Sequence, residues 1–208
     1  MGLFKKNFKP IEKIDEYINL TYGEKIENKK GKILTINPVT LEEFSGRNIC
    51  SLVALSRLAI SENNILSTYQ MKNIFEILKA KANNWAYRPR FGTVPFFIPF
   101  IYKKSSRIIE RYFKEENLRF KKLKLKNRLF ISFKKVKEII DENSTFILNI
   151  YGGYYSRHTV TVIGYCQVVT DRKTRHFLAL ADGWSEEIRY IDFDKSFWPF
   201  YIFTLVKR

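Results

Sequence analysis

The chain has 208 residues, 45% of them hydrophobic and 16% aromatic, which is enough to bury a core and excludes a disordered protein. Its 37 Lys and Arg against 21 Asp and Glu give a formal charge of +16, which draws a protein toward nucleic acid, anionic membrane or an acidic substrate. No nucleic-acid-binding motif accompanies the charge, and a general lysine bias yields the same basic surface, so nucleic acid is disfavoured as the partner.

Two cysteines, Cys50 and Cys166, make no disulfide framework, and no cluster has zinc-like spacing. A reduced compartment, with neither metal nor cofactor, is the simpler expectation. The N-terminal MGLFKKNFKPIEK lacks the apolar centre of a signal peptide, and Lys6 stands where a myristoylation signal wants Ser or Thr. The apolar runs Val94–Tyr102 and Phe197–Val206 are too short to span a bilayer and contain proline. A soluble, cytoplasmic protein is expected.

In chain order, Ile11, Ile14, Tyr17 and Ile18 fall at helical spacing within Ile11–Leu20. Lys32–Ile36 reads as a short strand ended by Asn37-Pro38, and Thr40–Phe44 as a turn of helix before the loop Ser45–Asn48. From Cys50 a second helix follows, with Val53, Ala54, Leu58 and Ala59 on an apolar stripe and Ser51, Ser56 and Arg57 on the other side. A third helix covers Thr68–Ala82. The segment YRPRFGTVPFFIP breaks regular structure, and a helix resumes over Ser105–Phe113.

Arg119–Phe133 alternates Lys and Leu, which fits an exposed, lysine-protected strand or hairpin; a basic groove is the functional alternative. A short helix around Val136, Ile139 and Ile140 leads to the strand Thr145–Tyr151. The remaining third reads as sheet: a GGYYSR loop, the strand His158–Val169, a polar turn, the returning strand His176–Asp182, the strand Glu186–Phe193 and an aromatic tail. No repeat or linker divides the chain, so one α+β domain over 1–208 is expected, with 1–40 as a lead-in.

The chemistry-bearing residues sort by position. Cys50 opens a helix, where free N–H groups and the positive end of the dipole favour a thiolate. The bland alternative is a small buried hydrophobe. His158 stands at the mouth of an apolar strand. If that strand turns near Thr170 and returns, Asp182 comes back beside His158, where a carboxylate would orient the ring while its other nitrogen faces the thiol. His158 and Cys166 fall on one side of the strand in simple alternation but lie eight residues apart, roughly 26 Å, and cannot touch. Cys166 reads as core filler and His176 as a turn-proximal surface residue.

The segments NICSLVALSRLA, RHTVTVIGY and ADGW, in this order, resemble the Cys, His and Asp/Asn motifs of papain-like cysteine peptidases. The closest likeness is to the bacterial branch that includes the bacteriocin-processing, double-glycine leader peptidases. The resemblance covers about residues 40–206. It implies a papain-like fold, a helical half carrying Cys50 and a sheet half carrying His158 and Asp182, and cleavage of an amide bond in a peptide or protein through an acyl-enzyme. Trp184 then matches a tryptophan that shields the polar pair from water. Two positions depart from the pattern. Phe44 stands where a glutamine commonly helps hold the oxyanion, with Asn48 as a substitute donor beside the Cys50 N–H. Arg157 stands where glycine is usual, narrowing the cleft or recruiting an acidic group. A catalytically inactive binding module for an anionic peptide or nucleic acid is the competing expectation.

Overall fold

A computed structural model describes residues 10–151, 155, 157–195 and 201–207. The architecture is α+β. Helices and antiparallel strands meet in one sheet of order β4-β9-β5-β6-β7-β8, with β1 added against β6. The strands are β1 (Ile26–Ile33), β4 (Leu125–Arg128), β5 (Phe146–Ile150), β6 (His158–Thr170), β7 (Thr174–Ala181), β8 (Arg189–Asp192) and β9 (Tyr201–Val206), and a separate hairpin pairs β2 (Tyr87–Arg88) with β3 (Gly92–Thr93). The helices are α1 (Ile14–Tyr22), α2 (Cys50–Ser61), α3 (Thr68–Ala82), α4 (Ile98–Glu115) and α5 (Phe133–Asp141). Among the described residues no helix is long and apolar enough to cross a membrane.

Helix α2 is the central element. It packs on β5 and β6 on one side and on α3 and α4 on the other, so its apolar sequence is covered all round. Ser51, Ser56 and Arg57, expected opposite the apolar stripe, are buried as well. Each has a partner. Ser51 Oγ lies 2.7 Å from Thr159 Oγ1, and Ser56 Oγ donates to Val53 O at 2.8 Å. The Arg57 guanidinium donates to Val39 O at 2.7 Å and Ala181 O at 3.3 Å. Burial draws the Arg57 pKa down to about 10, against the opposing charge of Asp182.

The differences from the expected elements have local causes. Helix α4 starts at Ile98, seven residues before the expected start, because Pro99 lies in its first turn, where a missing N–H costs no bond. The first strand is Ile26–Ile33, not Lys32–Ile36; it is polar and largely exposed, and hydrogen bonds to β6 define it where apolar alternation does not. Of Arg119–Phe133, only Leu125–Arg128 is strand. The aromatic tail supplies β9, which runs between β4 and β5 inside the sheet. Its residues 197–200 and the loop residues 152–154 and 156 lie outside the described residues.

Strand β6 is long enough to serve two neighbourhoods. Its first part pairs with β5 and its second with β1, while β7 runs beside most of it. The register against β7 shifts between Val162 and Gly164, leaving Ile163 as an extra residue. Before this bulge, Thr159 and Thr161 face α2 and Val160 and Val162 face the core beneath α5. After it, Tyr165 faces α5 while Cys166 and Val168 face α1. The alternation is reversed, so Val160 and Val162 ahead of the bulge and Cys166 and Val168 beyond it lie on opposite faces. Gly164 sits at this crossing because a Cβ there would run into the Lys32 carbonyl of β1.

Candidate active site

Cys50 is held by the loop in front of it. Asn48, at φ 54°, donates its side-chain amide to Pro89 O at 2.9 Å and Arg90 O at 3.3 Å. Tyr87 Oη donates to Arg47 O at 2.8 Å, and Lys79 Nζ donates to Ser45 O at 2.8 Å. Gly92, at φ 75°, brings the β2–β3 turn so close that a Cβ would come within 3.1 Å of Asn48 O. These bonds tie the approach to Cys50 to the hairpin and to α3, and α2 begins at the thiol-bearing residue itself.

His158 begins β6, opposite Ile150 of β5, and its backbone N–H donates to Tyr155 O at 2.8 Å. The ring's Nε2 lies 2.8 Å from the main-chain oxygen of Asp182. A carbonyl only accepts, so Nε2 carries a proton and Nδ1 is the nitrogen left to act on the thiol. The Trp184 ring stacks on the imidazole at 4.3 Å between centroids and on Tyr155 at 4.9 Å. The position expected to shield the imidazole therefore lies directly over it.

Asp182 does return beside His158, but with a register shifted from the symmetric hairpin: Ala181 pairs with Thr161. The ring meets its main-chain oxygen and not the expected carboxylate. The carboxylate instead accepts from Tyr155 Oη at 2.9 Å, Arg189 Nη1 at 3.1 Å and the Trp184 N–H at 2.9 Å. Its work is to fix the loop that aims the carbonyl and carries Trp184.

The thiol environment is set by several neighbours. Burial pushes the Cys50 thiol up, but a hydrogen bond and charge interaction with His158, with the Thr159 N–H and hydroxyl, bring it below its usual value. The Thr159 hydroxyl also has Asn149 Oδ1 within 3.0 Å, and Asn149 donates to Ile202 O at 2.9 Å. Cys50, His158 and Thr159 open into a cleft of about 350 Å³, whose other walls include Asn48, Arg90, Phe91, Thr93, Tyr151 and Arg157.

The remaining expected positions fall as follows. Asn48 lines the cleft, but its amide hydrogens are taken by hairpin carbonyls, so the expected oxyanion role does not fit its hydrogen bonding. Phe44 is buried against Phe75, with ring centroids 4.8 Å apart, and is a core residue. Arg157 adopts φ 59°, the left-handed conformation that glycine takes at least cost, which gives a backbone reason for glycine at this point. Cys166 lies opposite Phe177, remote from the cleft, and burial raises its thiol, with Lys29 opposing. His176 lies in β7 opposite Gln167, with Nδ1 2.9 Å from Asp194 Oδ1 and its ring on Phe133. It lies close to the β6–β7 turn, as expected, but is half-buried against Asp194 and Phe133 and not a free surface residue.

Thr159, Tyr155 and Arg189 are site residues that the sequence did not single out. The alternation of β6 offered a signal only for Thr159, the first residue on the α2 side. Thr93 is a fourth: its buried hydroxyl has no hydrogen-bond partner among the described residues and lines the cleft. Among the described residues no group of three or more His, Cys, Asp or Glu stands close enough to hold a metal ion. Comparison with protein-family models and with curated proteins finds no match for this chain.

Proposed function

We propose that the protein is a cysteine hydrolase of the papain-like kind, acting on an amide bond of a peptide or protein. The observation that carries this reading is the convergence of Cys50, at the start of α2, and His158, at the start of β6, on one cleft, where the imidazole draws the thiol below its usual pKa. Two arrangements add to it: the ring is held in one tautomer by the Asp182 main-chain oxygen and lies under Trp184.

The chemistry follows in balanced steps. The Cys50 thiolate attacks the carbonyl carbon, forming a C–S bond, and the oxygen takes up the negative charge. His158, carrying the proton taken from the thiol, protonates the amine as the C–N bond breaks. Water then attacks the thioester, giving its proton to His158, and the acid leaves as the thiolate re-forms. The oxyanion is met by the Cys50 backbone N–H, one of the free donors of the first turn of α2. The unpartnered Thr93 hydroxyl is the second donor in this reading. The Asp182 carboxylate acts as a positioning group, neutralised by Arg189, while its carbonyl stabilises the imidazolium through Nε2.

A second reading, a papain-like binding module without turnover, is favoured by one observation: neither Phe44 nor Asn48 supplies a free side-chain donor for the oxyanion. The two readings separate by alkylation and capture. Iodoacetamide at mildly acidic pH should modify Cys50 before Cys166, and a peptide aldehyde or epoxide should trap Cys50 covalently. Modification of Cys166 first, or no loss of rate in His158→Ala, would overturn the catalytic reading.

A further inference from the structure

One face of the molecule is unlike the rest. The 33 residues Ile77–Ile109 contain seven Lys or Arg and no Asp or Glu, and the 21 residues Asn117–Lys137 contain nine and none. The fold brings these segments together: Asn127 of β4 donates its side-chain amide to Pro95 O and Phe96 O, each at 3.4 Å. Positive charge is crowded there. Lys126 is held below the usual lysine range by burial and by Arg128, Lys207 and Lys135.

The same face carries the chain's most exposed apolar side chains of this region. Phe91, Val94, Phe96, Phe100 and Leu129 leave 51–74% of their surface to solvent. They come from the hairpin tip, the 3₁₀ turn Pro95–Phe97, the first turn of α4 and the loop after β4. Contiguous exposed apolar groups rimmed by charge mark an interaction surface.

We infer that this face docks on an anionic lipid bilayer, with the phenylalanines and Leu129 entering the headgroup boundary and the basic rim meeting the lipid phosphates. Charge complementarity selects the partner's sign, since neither segment holds an acidic residue. The apolar groups select a bilayer over a nucleic acid. Val94 and Leu129 offer no ring for base stacking. The Trp85 ring is already covered by Lys104, whose Nζ lies 4.0 Å from its centroid, and packs on Phe97 at 5.7 Å. The exposed phenylalanines and Val94 come from the consecutive turns between Phe91 and Phe100, beside which the Asn127 bonds hold the end of β4 that leads to Leu129. Phe91, Val94 and Pro95 also line the cleft, so a docked molecule presents its cleft rim to the membrane surface. The inference stands without the catalytic reading.

The test is co-sedimentation of the full chain with vesicles of phosphatidylcholine alone and with about 30% phosphatidylglycerol, an anionic fraction large enough to set a negative surface potential. Binding is expected only to the anionic vesicles and should weaken as salt rises. Phe96→Ser/Phe100→Ser/Leu129→Ser, none of which lines the cleft, should lower partitioning roughly tenfold or more. Lys104→Gln/Lys126→Gln/Arg128→Gln should lower it similarly and flatten the salt dependence. Equal iodoacetamide labelling of Cys50 in wild type and both variants shows that they fold, and Cys50→Ala should sediment like wild type. Equal partitioning into neutral and anionic vesicles, wild-type binding by the apolar variant, or retention of a single-stranded oligonucleotide with no vesicle binding would each overturn the inference.

Discussion

The two cysteines are similar in exposure and opposite in chemistry. Both are half-buried, and for both, burial is the largest influence and disfavours the thiolate. At Cys50, which opens a helix, it is outweighed by His158 and Thr159. At Cys166, in the middle part of a strand, only Lys29 favours the charged form, and Asp15 opposes it. Burial alone therefore does not distinguish a reactive thiol from an inert one. The partners at the chain's turning points do.

The sharpest way to break this contrast is to remove each thiol. Cys50→Ala should lower amide hydrolysis by at least about a thousandfold, whereas Cys166→Ser should leave the rate near wild type, read as kcat/KM on a peptide substrate. A large loss in the second variant would end the contrast. The next effect is on reactivity. Without the His158 ring the Cys50 pKa rises, so the thiolate fraction at pH 6 falls, and alkylation of His158→Ala should slow by about ten- to a hundredfold there. The difference should narrow above the free thiol's range, where both proteins are ionised.

Trp184→Ala uncovers the imidazole while leaving the Asp182 carbonyl in place. A loss of about three- to tenfold in kcat, with a changed pH profile, is expected when the stacked ring no longer excludes water. An unchanged pH profile would reduce Trp184 to loop packing. The smallest effect sharpens the other half of the contrast. Lys29→Gln removes the one charge that favours the Cys166 thiolate, so its labelling should slow by only about twofold, with Cys50 labelling unchanged.

The thiol and imidazole were legible because each sits where local pattern changes, at the start of an apolar helix and of an apolar strand. Asp182 was legible by position but not by role. Which of its oxygens meets the ring depends on a register that the bulge at Ile163 shifts, and no local pattern records that extra residue. Arg57 misled for a general reason: a charged residue on a helix reads as exposed, while its carbonyl partners at Val39 and Ala181 come from distant segments. The place of β9 was equally hidden. Its aromatic composition marks a strand, but insertion between β4 and β5 is a long-range pairing that no local pattern records.

The extra residue at Ile163 gives β6 the logic of a frameshift. Ahead of it, Thr159 and Thr161 address the thiol-bearing helix; beyond it, Cys166 and Val168 address the N-terminal helix on that same side of the sheet. Deleting one residue there would merge the frames, and either Thr159 or Val168 would be delivered to the opposite layer. A single strand thus carries two messages to one side of the sheet, and a single residue keeps them apart.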